Sequence, residues 1–72
     1  MNNLLDVLNK SVIYLEKKKI KNARLTVEKV FSGILGMDRI MLYASFERLL
    51  TEEELSKIRK KLNSTVTGEI GK

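Results

Sequence analysis

From Asn22 to Leu62 the chain reads NARLTVEKVFSGILGMDRIMLYASFERLLTEEELSKIRKKL, a stretch in which apolar residues recur at helical spacing between helix start and stop signals. No segment here or elsewhere alternates long enough to argue for a strand. The sharpest signal is Thr51 with Glu54: the hydroxyl can accept from the N–H three residues on, while the carboxylate reaches back to the Thr51 N–H. Glu52 and Glu53 add negative charge at the positive end of the helix dipole. Behind this box Leu55, Ile58 and Leu62 fall on one face, and Val66 extends it. Upstream, Gly36 can take the left-handed conformation that ends a helix, and Asp38 can cap a short helix carrying Ile40, Met41, Leu42 and Tyr43 that fades near Ser45 or Phe46.

The pattern predicts two further helices. The first runs from about Asn3 to Lys18, with Leu5, Leu8, Val12 and Leu15 on one face and Leu4, Val7, Ile13 and Tyr14 widening it; Asn3 and Asp6 serve its first turn. The second starts at Asn22, and its Leu25, Val27, Val30, Phe31, Ile34 and Leu35 form another apolar face. Gly33 inside it weakens the helix by up to about 1 kcal/mol relative to Ala, for which close approach of a neighbouring helix is the expected return. The tail from Thr65 is polar and glycine-bearing and reads as a linker or frayed end. The expected fold class is all-α, a small bundle of four or five short helices, with residues 1–66 as the helical domain and 67–72 as the start of a linker.

Composition narrows the function. The 72-residue chain has no His and no Cys, which removes the imidazole base, the thiol nucleophile, the disulfide and the usual zinc ligands. No catalytic, cofactor-binding or metal-binding residue is expected in it, since Glu52 to Glu54 are accounted for by capping. Gly68-Glu69-Ile70-Gly71-Lys72 lacks the spacing and the following Ser or Thr of a phosphate loop, and Met1, Met37 and Met41 are too scattered for a soft metal site. The longest apolar run, Ile40 to Ala44, is far below the roughly 18 residues that span a bilayer, and the N-terminus lacks signal-peptide order, so a cytoplasmic location without membrane contact is expected.

The net charge of +5 raises nucleic-acid binding as an alternative. Its distribution argues against it: Lys17, Lys18, Lys19 and Lys21 sit where the first helix ends, and Arg59, Lys60 and Lys61 lie late in the last, places where cations favour the negative end of a helix dipole. No aromatic residue interleaves them to stack on bases.

Four strings in order carry a family resemblance: Ala23-Arg24-Leu25-Thr26-Val27-Glu28, Ile34-Leu35-Gly36-Met37-Asp38-Arg39, Leu42-Tyr43 and Leu50-Thr51-Glu52-Glu53-Glu54-Leu55. With Tyr14-Leu15 and the basic break before Asn22, they resemble the N-terminal helical domain of the release factor glutamine methyltransferases, the HemK or PrmC family. The resemblance implies a parent enzyme that uses S-adenosylmethionine to methylate the glutamine of a Gly-Gly-Gln motif in peptide chain release factors. The helical domain would hold the substrate, with the release factor and the parent's own C-terminal catalytic domain as partners. Thr26 stands where the family commonly has an acidic residue, and Thr67-Gly68-Glu69-Ile70 where it has an Arg-rich Gly-Glu-Pro stretch. A chain without proline cannot hold the family's Asn-Pro-Pro-Tyr motif, so an isolated N-terminal domain, not catalytic alone, is expected.

Three residues are candidates for partner contact. Arg24 and Arg39 match family positions and suit carboxylates, although Arg24 can equally pair with Glu28 four residues on. Tyr43 reads either as an interface aromatic or as a core ring with its hydroxyl at the surface.

Overall fold

The computed structural model describes residues 3–70 and contains four helices: α1 (Leu4–Lys17), α2 (Ala23–Leu35), α3 (Arg39–Ala44) and α4 (Glu52–Ile70). α2 is the centre of the bundle, packing against α1, α3 and α4 in turn. The core forms where their apolar stripes meet, with Leu4, Leu8, Leu15, Val27, Phe31 and Leu42 fully buried and Ile58, Leu62 and Val66 closing it from α4.

The caps explain the boundaries. Asn3 Oδ1 accepts from the Asp6 N–H at 2.8 Å, and the N–H groups of Leu4 and Leu5 donate to the carbonyls of Arg48 and Phe46 at 2.8 and 3.1 Å. The free donors of the first turn of α1 are thus satisfied partly by the α3–α4 loop, which the Asn3–Leu49 bridge holds alongside. At the other end Ile20 N–H donates to Leu15 C=O and Lys19 N–H to Glu16 C=O, a Schellman closure in which Lys19 occupies the left-handed region at φ 61°. Burial of Ile20 supplies the apolar contact that usually accompanies that closure.

α2 begins at Ala23, one residue later than expected. Asn22 is itself left-handed at φ 55° and makes no side-chain capping bond, because a cap normally requires an extended backbone there. Gly36 ends α2 at φ 67°, with its N–H and that of Met37 both on the Ser32 carbonyl. Asp38 Oδ1 caps α3 through the Met41 N–H at 2.8 Å. The Thr51–Glu54 box forms in both directions, at 3.1 and 3.0 Å, and Arg48 grips the same carboxylate with two bonds of 3.1 and 2.8 Å.

Two expectations are corrected. Gly33 is exposed, and a Cβ built on it would meet nothing within 4 Å, so no helix approaches it and the glycine is unrewarded by packing. The polar tail is not irregular: α4 continues to Ile70, since Val66 is buried and the Thr65 hydroxyl is absorbed by the Lys61 carbonyl at 2.9 Å. Met1 and the last two residues of the expected linker, Gly71 and Lys72, lie outside the described residues.

Candidate functional site

The left-handed turn at Gly36 and the cap at Asp38 set α3 across the outer side of α2. Arg39 and Tyr43, four residues apart on α3, thereby share one side of that helix and meet Glu28 of α2. Arg24 reaches the same carboxylate from one turn earlier in α2. Glu28 is the pivot: its side chain is only 4% exposed, while Arg24 and Arg39 are 53% and 66% exposed.

Its two oxygens are used differently. Oε2 accepts from the Tyr43 hydroxyl at 2.8 Å and from Arg24 Nε at 3.2 Å. Oε1 lies 3.0 Å from Arg39 Nε yet has no hydrogen bond, because that N–H is directed to the Tyr43 hydroxyl oxygen at 3.4 Å. The Arg39 contact with Oε1 is therefore Coulombic. Burial pushes the Glu28 carboxyl upward, but the hydrogen bonds from Tyr43 and Arg24 and the charges of Arg39 and Arg24 outweigh it, holding the group below the ordinary glutamate value. The Tyr43 hydroxyl, followed by the Glu28 charge, raises the Arg39 guanidinium above its own.

Both arginines engage the cluster through Nε. Among the described residues their Nη groups make no hydrogen bond, which leaves two planar forks held at the root and open at the tip. The surroundings are apolar: Ile40 and Met41 on α3 are 80% and 53% exposed, and Leu25 on α2 lines a shallow depression with Glu28, Lys29, Ser32 and Arg39. A carboxylate this buried and this paired is no general base. The arrangement suits recognition of a surface that offers both carboxylates and apolar side chains.

The three residues singled out in the sequence are thus brought together around one carboxylate. Arg24 makes the expected i, i+4 pair. Tyr43 is not a core ring: it is 42% exposed and points its hydroxyl inward to Glu28, while its ring lies 5.3 Å from that of Phe46. Buried Glu28 needs a donor more than the already closed core needs another ring, which reverses the expected orientation. The wider role of Glu28 and the exposure of Ile40 and Met41 were missed; the signal for Glu28 was a charge set inside the apolar stripe. Lys17, Lys18, Lys19 and Lys21 are exposed at the α1–α2 corner, and Lys18 Nζ lies 5.8 Å from the Tyr14 ring centre. Among the described residues no three His, Cys, Asp or Glu side chains gather as a metal site, and no helix is long and apolar enough to cross a membrane.

Comparison with known proteins gives a consistent family. The profile of the PrmC N-terminal domain matches residues 6–69. A release factor glutamine methyltransferase of Leptospira interrogans is 40% identical over 60 residues, covering 83% of this chain and 21% of the relative. Those of Geobacter sulfurreducens and Fusobacterium nucleatum are 46% and 41% identical, over 64% and 81% of this chain and 16% of each relative. The chain therefore spans about a fifth of the length of the curated relatives it matches. No solved structure matches it.

Proposed function

Since the chain belongs to the PrmC N-terminal domain family, we propose that it is the substrate-docking domain of a cytoplasmic enzyme that methylates the Gly-Gly-Gln glutamine of peptide chain release factors. The observation that carries this reading is the pair of guanidiniums, Arg24 and Arg39, rooted on buried Glu28 beside exposed Ile40 and Met41. Selecting one glutamine among many requires binding energy from contacts remote from the reacting amide, and a separate docking surface supplies it. Tyr43 serves the same face by holding Glu28 and stacking beside Arg39.

S-adenosylmethionine is the methyl donor this reading implies for the parent enzyme. The described residues do not fit it: they provide four helices and an isolated bridge, not the strand, glycine-rich turn and helix that receive such a cofactor. Methyl transfer is accordingly assigned to a C-terminal catalytic domain, the second partner of this one, in the part of the relatives that the chain does not span.

The test is a titration of the isotopically labelled chain with a release factor at two ionic strengths. Micromolar or weaker binding is expected, with resonances of Arg24, Arg39, Ile40 and Met41 shifted and affinity reduced about tenfold by Arg39→Ala combined with Ile40→Ala. Shifts confined to Lys17, Lys18, Lys19 and Lys21, with tight nucleic-acid binding that falls steeply with salt, would replace this reading by the basic alternative.

A further inference from the structure

A second surface shares no residue with the Glu28 cluster. Between α1 and α4 runs an open groove of about 530 Å³ whose floor is Val7, Leu55 and Leu62. The Tyr14 hydroxyl closes one end by donating to Asn63 Oδ1 at 3.0 Å. Lys10 stands on the α1 wall and Arg59 on the α4 wall, both exposed. Of the other three arginines, Arg24 and Arg39 share Glu28 and Arg48 pairs with Glu54, whereas among the described residues neither Arg59 nor Lys10 has an acidic partner. An apolar floor between two unpaired cations is a defined chemical pattern.

We propose that this groove docks an amphipathic helix of a separate partner protein, one whose apolar stripe is flanked on both sides by carboxylates. Three features select that occupant. The walls are helices whose backbone groups are already paired internally, so an extended peptide would find no sheet edge and leave its own amides unsatisfied, whereas a helix brings its hydrogen bonds with it. From Val7 to Tyr14 and from Leu55 to Asn63 the walls run seven and eight residues, roughly 10 to 12 Å, which accepts two helical turns. Opposed cations at the rims fix the sign of the flanking charge and reject a basic amphipathic helix. The inference stands apart from the docking face on α2 and α3, and failure of either leaves the other intact.

The experiment uses two synthetic 18-residue helical peptides with the same leucine stripe, one flanked by glutamates and the other by lysines, titrated into the isotopically labelled chain. The glutamate peptide is expected to bind with a Kd of roughly tens to hundreds of micromolar, shifting Val7, Ser11, Leu55 and Leu62, while the lysine peptide leaves them unmoved. Lys10→Glu combined with Arg59→Glu changes two exposed side chains and should preserve the helical spectrum while reversing the preference between the peptides by about tenfold or more. Equal binding of both peptides, shifts centred on Ile40 and Met41, or retained preference in the double variant would overturn the proposal. So would the same shifts on raising the concentration of the chain alone, which would make the occupant a second copy.

Discussion

Replacing Glu28 with glutamine keeps the shape of the side chain and removes its charge. The Tyr43 hydroxyl can still donate to the amide oxygen at the place where it now meets Oε2 at 2.8 Å, but that bond passes from charge-assisted to neutral, while the one from Arg24 at 3.2 Å loses its anionic acceptor and keeps only the charge of the guanidinium. The amide nitrogen falls where Oε1 faces Arg39 Nε at 3.0 Å, setting donor against donor. Two effects moderate the loss: the arginines are more than half exposed and rehydrate easily, and a neutral amide is cheaper to bury than a carboxylate. The expected destabilisation from the change at Glu28 is about 1–2 kcal/mol, which in a domain of this size lowers Tm by roughly 5–15 °C. The assay is urea unfolding of both proteins from about pH 7 to about pH 3. Because the folded-state carboxyl is held below its ordinary value, the unfolded chain binds the proton more readily, so the contribution of Glu28 is fully present above about pH 4.3 and is lost as pH falls through the folded value. Glu54 is lowered in the same direction, first by Arg48, but it is common to both proteins and cancels from their difference. The gap between wild type and variant should therefore be constant near neutrality and close in acid. A gap that persists unchanged at about pH 3, or none at pH 7, would refute the reasoning.

Other substitutions test the local accounts by the same unfolding assay. Thr51→Ala removes the hydroxyl that accepts from Glu54 N–H and should weaken the domain by about 0.5–2 kcal/mol, whereas Thr65→Ala, whose hydroxyl only back-bonds to Lys61, should be nearly neutral; equal effects would contradict the cap. Gly33→Ala should stabilise by roughly 0.5–1 kcal/mol, since its Cβ enters open space within a helix, and a loss would reveal a neighbour that the structure does not contain. Lys19→Gly should gain up to about 1 kcal/mol by relieving the left-handed backbone at the end of α1, and an unchanged or lower midpoint would argue against that closure.

What the sequence made legible was whatever depends on neighbours a few residues away. The Thr51–Glu54 box, the Asp38 and Asn3 caps, the Gly36 stop and the Arg24–Glu28 pair are all i+3 or i+4 relations, and each is present. Four helices and the α4 stripe of Ile58, Leu62 and Val66 follow from the same periodicity. Long-range partners were hidden. Nothing local to Asn3 announces that the first turn of α1 will rest on the carbonyls of Phe46 and Arg48, and nothing local to Tyr43 announces a carboxylate fifteen residues earlier. Lys19 shows the limit of composition as a guide: left-handed helix ends favour glycine, but burial of Ile20 immediately after it holds a lysine in that conformation. Gly33 shows the converse, an allowance for close packing that no neighbour uses.

The six residues of α3 are too few to be helical by themselves, and only Leu42 is buried. Its position must come from its ends and its polar side: the Asp38 cap, the tie of Arg39 and Tyr43 to Glu28, and the tilted contact of Tyr43 with Phe46. The apolar residues that α3 carries are consequently free to face outward, which explains how a domain with a small core leaves Ile40 exposed without forfeiting the helix that bears it. Anchoring through Nε completes the logic. A guanidinium fixed by Nη would spend its bidentate edge inside the protein, whereas one rooted at Nε has already lost much of its side-chain freedom and still offers a fork to a carboxylate outside. Under the proposed docking role, Glu28 would link stability to recognition: weakening it should release α3 and unfix both arginines together, so a docking defect from a change at Glu28 would arise from lost preorganisation of groups it never shares with the partner.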